Sequence, residues 1–530
     1  MAEYLFASPL EVHDALKRRT ENALLDVREQ GEFSRSHTLL ASCAPLSRLE
    51  TLVPDLVPCK KATVYLMDGG QGDDRAERAG QVLVSLGYEN VIVMTGGMAA
   101  WLDAGLVKAE GVGALSKGFG EYVEKECQTP RLEPQEVHAL LHSDAPSIVI
   151  DVRPQVEYAR MNIPGSINLP GCEVTYRFAD AVPDPETTVI INCAGRTRSI
   201  IGTQTLINAG IPNKVYALKG GTMNWQLAGF DLEYGSTRRT APPSPEAFAV
   251  ARGRAASVAE RYGVRFIDAE TLRRWQDEAE EKTLYLFDVR LPDEYRSGHI
   301  PGSRNAQGGQ LVQATDEYAA VRNGRFVLID DTEVRAVMTA HWLGQMGLPE
   351  VYVLRGGLGG SGLGSAGLVT AEKTSPLPQE QAGITPLELA ARSDALVIDT
   401  GTSTKHKQSH IPGAVWCVRA KLDLASERVA KAASIVFTAD TEYEASLAAE
   451  DARALWPEKE IAILQGGTAQ WVNAGLPTEN GIDALCPVED VWYRPYTDVN
   501  ATPEAMRGYF DWEFGLVECI ERDGCARFHV

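Results

Sequence analysis

Short apolar runs bounded by turn-forming residues recur along the chain, with helical patterns between them. One set comprises Ser147–Asp151, 187–192 and Val215–Leu218, with a helical pattern over 199–209 and another near Trp225. Runs apolar at every position, too short to be helices, predict strands buried on both faces. Such strands alternating with amphipathic helices imply a parallel sheet covered on both sides, an α/β fold in three layers.

The pattern repeats. Asp-Val-Arg after an apolar run occurs at Asp26, Asp151 and Asp288, and a weaker copy ends at Asp399. Successive copies are 125, 137 and 111 residues apart. Gly-Gly after an apolar run, at Gly96, Gly220, Gly356 and Gly466, keeps step at 124, 136 and 110. Two independent landmarks in register predict four copies of one unit. Each copy is too long for a solenoid repeat and the right size for a domain. The expected boundaries are 5–107, 132–234, 265–365 and 383–478, followed by an extension over 479–530. Residues 108–132 and 358–383 read as linkers, and 235–262 carries a proline cluster and then a helical pattern. In the extension, Thr502-Pro503-Glu504 predicts a helix start and Gly524 its stop. The helix between them is so aromatic that it should pack across a domain or subunit interface, which suits a homodimer.

The length of 530 residues gives a prior of roughly three to four domains. The net charge of −21 argues against nucleic acid as a partner. No apolar run approaches the roughly 18 residues of a membrane span, so no membrane partner is expected. No basic stretch followed by an apolar one opens the chain, so no signal peptide is expected. Nine cysteines without a CxxC pair do not form a disulfide framework and suit a reducing cytoplasm.

The chemistry is sought beyond the carboxyl ends of the strands, where open α/β sheets bind ligands. In the second copy the strand ending at Asn192 is followed by Cys193-Ala194-Gly195-Arg196-Thr197-Arg198-Ser199. A cysteine, a glycine-containing turn and a helix start make an anion cradle of backbone amides. With Arg196 and Arg198 alongside, Cys193 is expected to have a depressed pKa and to be nucleophilic.

These motifs together resemble the rhodanese (sulfurtransferase) domain. Asp151-Val152-Arg153, Glu157-Tyr158 and Ile163 to Asn168 match its first signature. Cys193 to Ser199 match its Cys-x4-Arg-Ser loop, and Lys219-Gly220-Gly221 with Trp225 match its closing signature. The resemblance implies sulfur transfer in two half-reactions. Cys193 takes a sulfane sulfur from a small anionic donor such as thiosulfate, and cyanide or a thiol removes it. In that role the amides of Ala194, Gly195, Arg196, Thr197 and Arg198, beside Ser199, cradle the terminal sulfur. Arg198 holds the loop and binds the donor, and Arg196 attracts it. Asp151, Arg153 and Glu157 are support residues, with an Arg153–Glu157 bridge pinning a loop. No cofactor and no metal are implied. Cysteine-dependent phosphatases on related folds have five residues between Cys and Arg, and here there are four. A sulfur relay or scaffold with non-catalytic modules is the alternative reading.

The other copies place Asp68, Asp330 and Ala439 at the cysteine position. The arginine position then falls at Asp73, Arg335 and Glu444. A carboxylate cannot carry a persulfide, so one active site is expected, in the second copy. His299 and His410 fall where the second copy has Asn162, and read as loop pins. Trp101, Trp225 and Trp471 read as core anchors, with a glycine-rich run instead in the third copy. Cys172 reads as a loop cysteine, and Cys519, Cys525 and His529 are too few for a metal site.

Overall fold

The computed structural model describes residues 4–360, 368–370 and 382–530. Most of the predicted 358–383 linker, the glycine-rich run and the end of the 265–365 unit therefore lie outside the described residues. The fold is four tandem α/β units with a helical C-terminal end, as the strand and helix patterns predict. Each unit is a five-stranded parallel sheet with helices on both faces. In the second unit the strands are β1 (Arg131–Leu132), β2 (Ser147–Asp151), β3 (Ile167–Asn168), β4 (Thr188–Asn192) and β5 (Val215–Leu218), in the order β1-β5-β4-β2-β3. The other three sheets have the same order. Val189, Ile190 and Ile191 are fully buried, which is why β4 reads as an unbroken apolar run.

Local signals start the helices. Three units open with proline at the first helical turn, in the helices Pro9–Lys17, Pro134–Leu141 and Pro386–Ala390. Proline has no amide hydrogen to leave unpaired there, and a glutamate at the third helical position completes the cap.

Register fixes the equivalences. Asp26 pairs with Met67, Asp151 with Asn192, Asp288 with Ile329 and Asp399 with Thr438. The next residues, Asp68, Cys193, Asp330 and Ala439, therefore occupy one structural position.

The second and third units face each other, as do the first and fourth, and the first also packs on the third through a shared core, where the Tyr285 hydroxyl donates to the Leu56 carbonyl. Between the second and third, Arg335 Nη1 donates to Glu173 at 2.6 Å and Arg198 Nη1 donates to Gln310 at 3.0 Å. The Gly171 and Gly309 backbones touch there: a Cβ on either would lie 2.6 Å from the other's Cα. Between the first and fourth, Arg48 donates to Glu444 at 3.1 Å and Arg419 to Glu50 at 2.7 and 2.9 Å.

Two segments depart from expectation. The stretch read as a linker over 108–132 contains a helix, Ala114–Cys127, whose Phe119 and Val123 are fully buried. A Cβ at Gly118 would meet Ile520 Cδ1 at 2.2 Å, and one at Gly120 would meet Thr197 Cγ2 at 2.8 Å. The two glycines let the tail pack on one side of this helix and the second unit on the other. They also blurred its sequence signature, because glycine disfavours helix. The single tail helix is two, Pro503–Phe514 and Leu516–Asp523, meeting at Gly515. Gly524 is the left-handed stop, at φ +70°. Met506, Tyr509, Leu516 and Ile520 are buried within the chain itself.

Candidate active site

Cys193 is the first residue after β4 and is 2% exposed. Its thiol donates to Ser199 Oγ at 3.4 Å, and that hydroxyl donates to the Arg196 carbonyl at 2.8 Å. The loop is held from behind. The amides of Thr222 and Met223 donate to the carbonyls of Cys193 and Ala194 at 2.9 and 3.0 Å. Gly221 makes this approach feasible: its φ is +56°, and a Cβ there would lie 2.4 Å from the Cys193 oxygen. Asn192 Nδ2 donates to Asp151 at 2.8 Å and to Thr222 Oγ1 at 3.0 Å, tying the strand end to the support residues.

The amides of Ala194, Gly195, Arg196, Thr197 and Arg198 donate to no protein acceptor among the described residues. The third unit displays what such a loop holds. Asp330, at the cysteine position, accepts hydrogen bonds from the amides of Thr332 at 3.1 Å, Glu333 at 2.5 Å, Arg335 at 2.9 Å and Ala336 at 3.4 Å. In the first unit Asp68 accepts from Gly70 at 2.9 Å and Ala76 at 3.0 Å. In both of these units a built-in carboxylate sits among the loop amides, whereas the fourth has Ala439 there.

The ion pairs differ from the expected ones. Arg153 pairs with Asp151 at 2.7 Å and donates to the Met161 carbonyl at 2.7 Å. Glu157 instead accepts two 2.8 Å hydrogen bonds from Arg198. Arg153 is only two residues from Asp151, and its short fork closes locally; Glu157, on the next helix, faces the loop. Burial raises the Glu157 carboxyl, but Arg198 outweighs it and the net shift is downward. The same two pairs recur as Arg28–Asp26 with Arg75–Glu32, and as Arg290–Asp288 with Arg335–Glu294. This corrects the alignment of the first unit: the residue equivalent to Arg198 is Arg75, not Asp73. Two extra loop residues, in a turn where Gly70, Gln71 and Gly72 all have positive φ, displace it along the chain.

Arg196 was expected to attract the sulfur donor. Its Nε and Nη2 instead bind Glu121 at 2.7 and 2.6 Å, and Nη2 binds Glu124 at 2.5 Å. Its guanidinium lies 4.4 Å from the Phe514 ring centroid. The group is buried and neutralised by the Ala114–Cys127 helix, so it anchors the loop.

The thiol pKa also runs opposite to expectation. Burial pushes Cys193 above the ordinary cysteine value; Arg198 and the Ser199 hydrogen bonds pull it down, and Glu513 adds to the rise. The cover is the tail. A Cβ at Gly195 would find Met223 Cε at 3.2 Å, Glu513 Oε2 at 3.4 Å and Tyr509 Cε1 at 3.5 Å. Glu513 is 1% exposed, its Oε2 has no hydrogen-bond partner, and burial pushes its carboxyl up to about 8.

Glu121, Gln310, Tyr509 and Glu513 escaped the sequence reading because each comes from another part of the chain. Nothing in the sequence separates Glu513 from Glu504 and Asp511 in the same aromatic helix. Cys172 faces the third unit, 3.1 Å from Thr339 Oγ1, and burial pushes its thiol up to about 12. His299 and His410 bond the carbonyls of Tyr295 and His406 at 3.0 and 2.8 Å, as loop pins should. Trp101, Trp225 and Trp471 are buried, each donating to a carbonyl six residues on. Among the described residues one group, His13, Asp523 and Cys525, brings three metal-competent atoms within 4.8 Å of one another. Among the described residues no helix is long and apolar enough to cross a membrane.

Comparison with known proteins matches the rhodanese-like domain family at residues 8–104, 133–228, 268–360 and 385–474. The crystal structure of a thiosulfate sulfurtransferase from Pseudomonas aeruginosa is similar over 99% of both chains, with 45% identity and a TM-score of 0.94. The adenylyltransferase and sulfurtransferase MOCS3-1 of Drosophila pseudoobscura pseudoobscura is 34% identical over 100 residues, 18% of this chain and 22% of that protein. The uncharacterized protein YqhL of Bacillus subtilis is 36% identical over 89 residues, 17% of this chain and 68% of its own. The chain thus spans less than a quarter of the first of these curated relatives.

Proposed function

The chain belongs to the rhodanese-like domain family, and from that premise we propose that it is a sulfurtransferase working through a persulfide on Cys193. The observation that carries the reading is the single thiol at the strand-end position. Of Asp68, Cys193, Asp330 and Ala439, one alone can form and release a sulfur–sulfur bond.

In the first half-reaction the Cys193 thiolate attacks the outer sulfur of thiosulfate. A Cys193 Sγ–S bond forms, the donor's S–S bond breaks, and sulfite leaves with the electron pair. In the second, cyanide or a thiolate attacks the outer persulfide sulfur, and Cys193 leaves as thiolate. The negative charge sits on the terminal sulfur between the steps. The amides of Ala194 to Arg198 stabilise it there, as preorganised dipoles stabilise an oxyanion. Arg198 supplies a full positive charge from a position fixed by Glu157. Arg196 fixes the loop through Glu121 and Glu124.

With Cys193 2% exposed, a donor dianion reaches Sγ only after the cover moves. The elements to displace are the Pro503–Phe514 helix, which carries Tyr509 and Glu513, or the third unit's Gln310. Opening also rehydrates the thiol, removing the burial that raises its pKa and favouring thiolate. The cover thus couples access to activation.

The test is steady-state thiocyanate formation from thiosulfate and cyanide, with mass spectrometry of the Cys193 peptide. Wild type should turn over and carry about 32 Da of added sulfur, and Cys193→Ser should do neither. Equal turnover by Cys193→Ser would overturn the assignment. A persulfide that forms but is discharged only by an added protein would favour a relay.

A further inference from the structure

The first and fourth units face each other as the second and third do, but neither carries a thiol at the strand-end position. Where they meet the third unit and the start of the C-terminal extension lies a cavity of about 360 Å³. Its charged lining is Glu29, Asp316, Glu317, Asp440, Glu444 and Asp490, against one cation, Arg48.

Three of these acids have a cation at hand. Arg48 is 3.1 Å from Glu444, Arg494 is 3.1 Å from Glu317 and Lys405 is 3.2 Å from Asp440. The other three have no ion pair among the described residues. Each leaves one oxygen buried without a hydrogen-bond partner: Glu29 Oε1, Asp316 Oδ1 and Asp490 Oδ1. Glu29 is 2% exposed. Burial, with Asp490 and Glu32 nearby, pushes its carboxyl up to about 7, and burial with Glu317 pushes Asp316 up to about 6. Asp490 accepts from the Ser403 amide at 2.7 Å and Glu29 caps its own helix, but buried carboxylates without an ion pair remain costly and are relieved by a cation that enters among them.

The shape of that cation follows from the spacing. Among the described residues no three of these acids bring ligand atoms within 4.8 Å of one another; the single such group is elsewhere. A bare metal ion is therefore not chelated by three of them at once. A cation whose charges are several ångströms apart meets them one by one. Between the acids the wall is aliphatic, with Leu52, Leu56, Val112 and Val418, which suits methylene segments. The volume lies at the lower end of small-molecule pockets. We propose that this cavity, walled by the first, third and fourth units and the extension, binds an aliphatic polyamine, its ammonium groups paired with Glu29, Asp316 and Asp490 and its methylenes against the aliphatic wall.

The experiment is calorimetric titration of the full-length protein with spermidine in about 0.15 M salt, which screens non-specific attraction. One saturable site is expected. Glu29→Gln should weaken it at least about tenfold while leaving the ligand-free protein no less thermostable, since a costly buried acid is lost. Should that variant misfold, Asp316→Asn is read the same way. Absence of saturable binding up to about 1 mM spermidine would overturn the proposal. So would affinity unchanged in both variants, or magnesium binding tighter than spermidine and sensitive to Glu29→Gln.

Discussion

The claim that the 193–198 loop is an anion cradle can be tested by a substitution that the third and first units already carry. Cys193→Asp places a carboxylate where Asp330 and Asp68 stand. In the third unit that carboxylate collects four amide hydrogen bonds. Hydrogen bonds to a charged group contribute about 1.5–3 kcal/mol each, while burying a carboxylate costs several kcal/mol. Asp330 shows which side wins: burial leaves its pKa raised above the ordinary value despite the four amides. The introduced acid should therefore be close to neutral for stability, within about 2 kcal/mol of wild type, or a few degrees in Tm. Its pH dependence has a definite sign. An acid whose folded pKa is raised contributes fully below its unfolded pKa and loses that contribution as pH rises through the folded value. Cys193→Asp should thus lose stability relative to Cys193→Ala as pH climbs above about 4. The second readout is binding. Cys193→Ala leaves the cradle open and should bind thiosulfate by calorimetry; Cys193→Asp fills it and should not. If the aspartate variant binds thiosulfate as tightly as the alanine variant, or unfolds outright, the loop is not the cradle described.

Three further outcomes follow from the same geometry. Arg198→Met strands Glu157 in a buried site and should cost about 3–5 kcal/mol in chemical denaturation, part of which returns on adding Glu157→Leu. Gly221→Ala forces a Cβ to within 2.4 Å of the Cys193 carbonyl at positive φ, whereas at Gly467 the nearest atom, the Ala439 oxygen, is 3.2 Å away. Only the first should abolish turnover, and the second should show little beyond backbone strain of about 1–2 kcal/mol in thermal unfolding. With its carboxyl pushed up to about 8, Glu513 gains its charge only in alkaline solution and then opposes the Cys193 thiolate. Glu513→Gln should therefore speed iodoacetamide labelling of Cys193 above that pH and leave it unchanged well below, and equal rates throughout would remove Glu513 from the site.

What the sequence disclosed follows the range of the interactions involved. Strands, capped helix starts and the fourfold repeat are written in neighbouring residues, because apolar runs and caps act within a few positions. The register of Asp26, Asp151, Asp288 and Asp399 against the next strand then placed the strand-end position in all four units. The cysteine, its loop and Arg198 were legible for the same reason. The Arg198–Glu157 pair spans 41 residues, so sequence proximity assigns Glu157 to Arg153 instead. Arg75 was hidden by a two-residue loop insertion that shifts number but not place. The burial of Cys193 was out of reach because its cover lies more than 300 residues further along the chain. A motif lists the charges that favour thiolate and is blind to the desolvation that opposes them.

The arrangement also explains why units without a cysteine accompany the one that has it. Every charged group around the loop is completed from outside the second unit or balanced within it. Glu121 and Glu124 of the inter-unit helix neutralise Arg196, Gln310 of the third unit shares Arg198 with Glu157, and Glu513 of the tail lies over Gly195. The reverse contact, Glu173 of the second unit on Arg335 of the third, makes the pairing mutual. Arg335 is further neutralised by Asp331 and by Glu294, and Asp330 occupies the loop, so no charge in the third unit is left for a donor. The third unit is thus electrostatically closed by Asp330, at the position where the second has Cys193 and no built-in carboxylate. The first and third loops therefore contain their own negative charge, Asp68 and Asp330, while the fourth, with Ala439, has neither that charge nor a thiol.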